Sequence, residues 1–403
     1  MNDRAAALHT LHALPWHAAL PDEPQRLALA RQRFFADGVH PAGQVAEPIW
    51  RSWQRCLQKG LQPERVPALE PVSRSRISYL ATRDHLLLKA AQQPFDELQA
   101  AVARSGCKVL LTDRDGVLLR VTPARREESA VMHAACRIGV DLREGAIGTT
   151  APSLAAHGGR GCVVRGGEHF HELFGRVFCA AAPIRNRHGT VVAVLDLSID
   201  GQPFGFDARW LVQTYAGSIE DRLRIAQTRQ QVLLRLHAAP GALQAPGAGL
   251  AAVDEAGRIG WLNVAAAGLI GVDGADARQF RVEALLGCDV EHLLQMTRCR
   301  EPQALLLPNG LTVWLQAEFR PLGDADSDAD DTAAFTPSRP AGPVPAPAPA
   351  TADESAPQGP ATLAQLSRQL IEQTLAACRG NVSLAARRLG VSRGLLYRRL
   401  RGD

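Results

Sequence analysis

Apolar and polar residues alternate with several different rhythms along this chain, and the changes of rhythm divide it. The first 94 residues are expected to form a helical lead-in (1–94). At 108–112 the sequence Lys-Val-Leu-Leu-Thr is a strand-like apolar run. Asp113-Arg114-Asp115-Gly116 has turn chemistry, and 117–121 reads as the return strand of a hairpin. Short apolar runs recur at 161–164 and 177–184. A second turn, Asn186-Arg187-His188-Gly189, leads into 191–198, and from Asp207 the pattern reads as helical through about Leu236. Residues 95–236 are therefore expected to form an antiparallel sheet with helices packed on one face. A smaller repeat of the theme occupies 246–321: strand at 249–253, turn, strand, a helix capped by Asn263, and a closing strand at 312–319.

Two C-terminal segments change character again. Residues 322–360 hold five Asp between 324 and 331, then repeated Pro-Ala steps with almost no large apolar side chain. Such composition offers too little burial to offset the entropy of ordering, so a disordered linker, semi-stiff in its Pro-Ala part, is expected. Residues 361–403 regain helical spacing. Thr362 and Gln365 make a capping box, and Leu363, Leu366, Leu370, Ile371 and Leu375 share a face. Gly380-Asn381 breaks that helix. A short second helix buries Leu384, Ala385 and Leu389 and closes at Gly390. Ser392 caps a third, with Leu396 and Leu400 inward and Arg393, Arg398 and Arg399 outward. Eight Arg against Glu372 and Asp403 give this segment +6, while the whole chain is only +4. A short turn between two helices, the second basic, is an arrangement that places a helix in the DNA major groove.

The same residues carry a resemblance. GNVSLAARRLGVSRGLLYRRL resembles the Fis-type helix-turn-helix that closes many bacterial enhancer-binding regulators. That implies double-stranded DNA as partner and a homodimer reading half-sites about one turn apart. It also implies Arg393 at base edges, where its fork suits guanine. Asn381, Ser383, Ser392, Arg398 and Arg399 would contact phosphates. Gly394, Leu395 and Tyr397 complete the implied DNA-binding set; Leu395 stands where some relatives carry Thr.

A second resemblance lies upstream. GVDLREGAIGTTAPSLAA, GGEHF and FCAAAPIRNRHGTVVAVLDLS are similar to the GAF sensor of sigma-54 activators of the acetoin-catabolism-regulator family. The segment at 48–64, PIWRSWQRCLQKGLQPE, resembles their S-W-x-R-C lead-in. Thr150 replaces the usual Asn, and Asn186 stands where many relatives have Asp. Residues 246–321 are similar to a reduced PAS domain. The expected fold class is thus α+β and multi-domain: a GAF-like antiparallel sheet with helices, a small PAS-like domain and an all-α Fis-type tail. The resemblance implies a small organic effector in a pocket lined by Met132, His169, Phe178 and Cys179.

Other chemistries find little purchase. No G-x-x-x-x-G-K-[ST] phosphate loop occurs, and the three lysines (Lys59, Lys89, Lys108) follow no such loop. Phosphates in such an ATPase need those backbone amides and that Lys, so ATP-driven remodelling of a sigma-54 polymerase is not expected. The alternatives are occupying DNA, acting on RNA polymerase, or pairing with a full-length relative. The eight Cys show no C-x-x-C pair, which suits reduced thiols in a cytoplasmic protein. No apolar run reaches membrane-spanning length, and the N-terminus has no signal-peptide pattern. His169-Phe170-His171 offers two imidazoles without an evident third ligand, so neither a metal nor a cofactor is expected. No nucleophile or acid–base motif stands out, and an enzyme is not expected.

Overall fold

The computed structural model describes residues 23–41, 43–125, 128–273, 277–299 and 301–321. The expectations for the linker and the helix-turn-helix lie outside these residues. Helix α1 (Glu23–Arg31) runs into a π-helical turn at 32–36, followed by α2 (Glu47–Gln58), α3 (Arg74–Arg83) and α4 (His85–Ala101). Strands β1 (Lys108–Asp113) and β2 (Leu118–Val121) form the expected hairpin. Then come α5 (Ala130–Ala135), α6 (Glu144–Ile147), α7 (Ala151–Gly158), β3 (Cys162–Arg165), β4 (Val177–Arg185), β5 (Val191–Asp200) and α8 (Ala208–Gln227). The five strands pair antiparallel in the order β2-β1-β5-β4-β3.

Turn chemistry fixes the hairpins. Asp113 Oδ1 accepts from the amides of Asp115 (2.9 Å) and Val117 (2.8 Å), and Gly116 takes the left-handed conformation at φ +81°. Asn186 does the same for His188 and Thr190 (2.9 and 3.1 Å). Only a carbonyl-type oxygen is needed there, so Asn replaces Asp without loss. Thr150 likewise satisfies the role left by the usual Asn. Its hydroxyl accepts from the Ser153 amide, Ser153 Oγ accepts from the Thr150 amide, and the resulting capping box starts α7.

Helices cover both faces of this sheet, not one. Ala193, Leu195, Leu197 and Ile199 of β5 pack with Phe95 and Leu98 of α4 and Val212, Ala216 and Ile219 of α8. Val194 faces the other way, with Cys179, Ala181, Met132, Leu154, Phe170 and Trp53. The strands signal this: β1 is buried at every position and β5 over most of its length, a continuous apolar run instead of an alternation. The lead-in is not a separate layer either. The expected boundary at 94/95 falls within α4, and Ile49, Trp53 and Cys56 of α2 belong to the same core as the sheet.

A second sheet follows: β6 (Gln231–His237), β7 (Gly249–Val253), β8 (Ile259–Leu262), α9 (Val264–Ile270), α10 (Val282–Leu286), α11 (Val290–Met296), β9 (Gln303–Leu306) and β10 (Thr312–Arg320). Its antiparallel order is β8-β7-β6-β10-β9. Both sheets thus place two strands on each side of a central strand. In the first sheet the central strand comes last in sequence; in the second, β6 comes first. The helical reading through Leu236 is corrected here, because α8 stops at Gln227 and the next apolar run is a strand. Val232, Leu234 and Leu236 face one core and Leu233 the other. An apolar run buried on both sides carries no period, so it does not distinguish helix from central strand.

Candidate functional site

Three sequence motifs far apart in the chain meet around α2. Ser52 Oγ donates to Glu144 Oε2 and lies 2.7 Å from both that oxygen and Thr149 Oγ1. Arg55 grips the same carboxylate, with Nη2 2.6 Å from Oε2 and Nε 2.9 Å from Oε1, and Lys59 Nζ stands 3.3 Å from Oε1. Trp53 Nε1 donates to the Glu168 carbonyl at 2.8 Å. The S-W-x-R-C lead-in, the Glu-x-x-x-Gly-Thr stretch and Glu-His-Phe are therefore one structural lock. Burial alone would push the Glu144 carboxyl up. The hydrogen bonds from Arg55 and Ser52, with the charges of Arg55 and Lys59, outweigh it and hold the carboxyl below its ordinary value.

Arg31 extends the lock. Its guanidinium donates to the carbonyls of Gly167 (3.0 Å), His169 (2.6 Å) and Phe170 (3.1 Å) and stacks over Phe35 and Trp53. Phe34, Phe35, Trp53 and Phe170 form an aromatic cluster with ring centroids 5.1–5.5 Å apart. Gly148, at φ +73°, is required here, since a Cβ would come 2.7 Å from that of Phe170.

His169 and His171 serve this packing. His169 is 1% exposed, its Nδ1 2.9 Å from the Gly166 carbonyl, and burial pushes its pKa down to about 4, so the ring is neutral. Burial also lowers that of His171, against which the Phe170 ring stands edge-on. Among the described residues no three His, Cys, Asp or Glu side chains are placed to hold a metal ion.

The sheet face beneath α5 carries a buried polar group. Ser198 Oγ donates to Asp196 Oδ2 at 2.6 Å and lies 3.1 Å from Cys179 Sγ, while Asp196 Oδ1 has no hydrogen-bond partner among the described residues. Full burial pushes Asp196 up to about 7, despite the Ser198 hydrogen bond. Beside this row, Lys108 forms an ion pair with Glu128 at 2.9 Å, both side chains 6% exposed. The pair walls a cleft of about 520 Å³, lined also by Gly106, Arg125, Met132, Arg176, Ile199 and Asp200.

Of the four residues expected to line an effector pocket, Met132 lines this cleft. Cys179 belongs to the same core layer as Met132, and His169 is locked among the Arg31 contacts. Phe178 is corrected: it packs on the opposite face, with the α4–α8 layer. Neighbouring strand residues point to opposite faces, which puts Phe178 and Cys179 in different core layers. Lys108, Glu128, Arg125 and Arg176 were missed because they lie in no motif and only the fold assembles them. Asn381, Ser383, Ser392, Arg393, Gly394, Leu395, Tyr397, Arg398 and Arg399 lie outside the described residues.

A mixed α+β body of antiparallel sheets is followed in sequence by a basic tail, and both parts match known transcriptional regulators. Residues 21–219 match the family described as MimR, N-terminal domain, and 362–401 match the bacterial regulatory protein, Fis family. The acetoin catabolism regulatory protein of Cupriavidus necator is 31% identical over 255 residues, 61% of this chain and 38% of that protein. The propane 2-monooxygenase operon transcriptional activator MimR of Mycolicibacterium smegmatis is 28% identical, over 54% of this chain and 36% of its own length. The solved E. coli DhaR(N)–DhaL complex matches at TM-score 0.42 and 17% identity, covering 69% of this chain and 100% of that one. The chain is thus a homologue of the acetoin catabolism regulator and the MimR-type sigma-54 activators, with a Fis-type helix-turn-helix at 362–401. It spans less than two-fifths of the length of the two curated relatives named. No helix among the described residues is long and apolar enough to cross a membrane.

Proposed function

We propose that this protein is a ligand-responsive, sequence-specific DNA-binding regulator in the cytoplasm. In this reading a GAF-like first domain senses a small organic effector, a PAS-like second domain relays or spaces, and paired Fis-type tails read the operator as a homodimer. One observation carries it: a match to the MimR N-terminal domain and a Fis-family match occur in one chain. Effector binding favours one of two sensor arrangements, and the available coupling is the effector's differential affinity, typically ~1–3 kcal/mol. Control then acts through dimerisation and effective concentration across the Pro-Ala segment. It does not use ATP-driven sigma-54 activation, because no phosphate loop lies between the sensor and the tail.

The test is recovery of genomic fragments by the purified full chain at ~150 mM salt, which suppresses nonspecific phosphate binding. A palindromic motif with half-sites one turn apart is the expected result. Uniform recovery abolished by salt overturns it and favours a second reading, an interaction protein that pairs with or titrates a full-length activator. That second reading draws on the same missing phosphate loop.

A further inference from the structure

We propose that the cleft beneath α5 takes a small organic anion, a carboxylate with a compact apolar body. The inference rests on the sensor reading above and names the chemistry its ligand must have. The cleft, about 520 Å³, is of a size that holds small ligands. Met132 and Ile199 supply apolar lining, each 5% exposed, and a Cβ on Gly106 would stand 3.8 Å from Ile199 Cδ1. Thioether and aliphatic surfaces of this kind suit an apolar or aromatic body.

The polar lining decides the sign. Lys108 and Glu128 neutralise each other as an ion pair. Asp200 contributes one negative charge, against the guanidiniums of Arg125 and Arg176. Among the described residues Arg176 has no ion pair, and the Arg125 guanidinium donates to the Ala103 carbonyl while its backbone amide donates to Glu128 Oε2 at 3.3 Å. The cleft is left with one net positive charge and two exposed guanidiniums, whose fork geometry matches a carboxylate. A cation would meet like charge at both arginines. A neutral ligand would forgo the charge-assisted bonds they offer.

The experiment is calorimetric titration of the full chain with benzoate and 3-phenylpropanoate, each compared with its neutral amide, followed by operator-binding assays with and without each probe. The carboxylates are expected to bind at least tenfold tighter than the amides. The Arg125→Ala/Arg176→Ala double variant is expected to lose that preference while keeping the thermal transition of the parent protein. Met132→Trp, which fills the cleft, is expected to abolish binding of every probe. Amides binding as tightly as carboxylates, or carboxylates failing to bind, would overturn the anion assignment; amide binding that alters operator affinity would leave the sensor reading standing. Arginine-dependent carboxylate binding with no effect on operator affinity would uphold the anion site and count against the sensor reading.

Discussion

Arg55 and Glu144, 89 residues apart in sequence, meet with Nη2 2.6 Å from Oε2, and this contact fastens α2 to the start of α6. Glu144 is 9% exposed and also accepts from Ser52. Glu144→Gln keeps size and one hydrogen-bond acceptor but removes the charge facing Arg55 and Lys59, so a loss of about 1–3 kcal/mol is expected. The folded carboxyl titrates below its ordinary value of 4.5. Its contribution is therefore present above that value and is lost as pH falls through the lower folded one. Chemical denaturation across pH 3 to 7 checks this: the gap between parent and variant should narrow below pH 4.5, and a gap that stays constant refutes the assignment.

Asp196 runs the opposite way. Its folded value of about 7 stands above the ordinary 3.8. Between those two values the folded state holds a proton that the unfolded state has released, so stability falls as pH rises through that window and levels off above it. Asp196→Asn, which cannot ionise, should remove that slope and gain on the parent between pH 4 and 7, by a few kcal/mol at most. Parallel stability profiles for the two proteins would mean that Asp196 is ionised in the fold.

Much of the first sheet was legible because its turns announce themselves: Asp113 to Gly116 and Asn186 to Gly189 use side-chain oxygens and left-handed glycines that only turns require. The Asn263 cap was legible for the same reason, and its side chain accepts from the Ala266 amide. The second helical layer and strand β6 were not, because positions buried on both sides leave no periodic trace. The motif residues marked the importance of Ser52, Trp53 and Glu144 without showing that they touch. Phe178 was misassigned by adjacency to Cys179, an error that strand alternation explains. Lys108, Arg125 and Arg176 come from separate elements, and no spacing rule joins them.

In the tail, Arg393→Ala should weaken operator binding by about 1–3 kcal/mol, or roughly 5- to 150-fold, and relax discrimination at one base pair. Arg398→Ala should instead weaken binding to all sequences evenly and flatten the salt dependence. Fluorescence anisotropy on operator and scrambled duplexes separates the two. Equal loss on both duplexes for Arg393→Ala would assign that residue to the phosphates.

Asn263 makes four side-chain hydrogen bonds, one of which ties the second sheet to α8. Its Oδ1 accepts from Leu250 and Ala266, both at 2.9 Å, and its Nδ2 donates to the Ala248 carbonyl at 2.9 Å and to Asp221 of α8 at 3.0 Å. Arg224 and Thr228 of the same helical end reinforce the junction through the Leu262 carbonyl and Trp261 Nε1. Asn263→Ala removes a helix cap and orphans the buried Leu250 amide, an expected loss of about 2–4 kcal/mol. Asn263→Asp is more discriminating, because it keeps the acceptor oxygen but sets a second carboxylate against Asp221, which burial has already pushed up to about 6. At pH 5 one proton can bridge the pair; at pH 8 two like charges face each other in a half-dry junction. Hydrogen exchange of β7 and β8 should therefore resemble the parent at pH 5 in Asn263→Asp and accelerate tenfold or more at pH 8, beyond the intrinsic rise, while Asn263→Ala is faster than the parent at both. Equal protection of the Asp variant and the parent at pH 8 would show that the Asp221 contact does not hold the second sheet to α8.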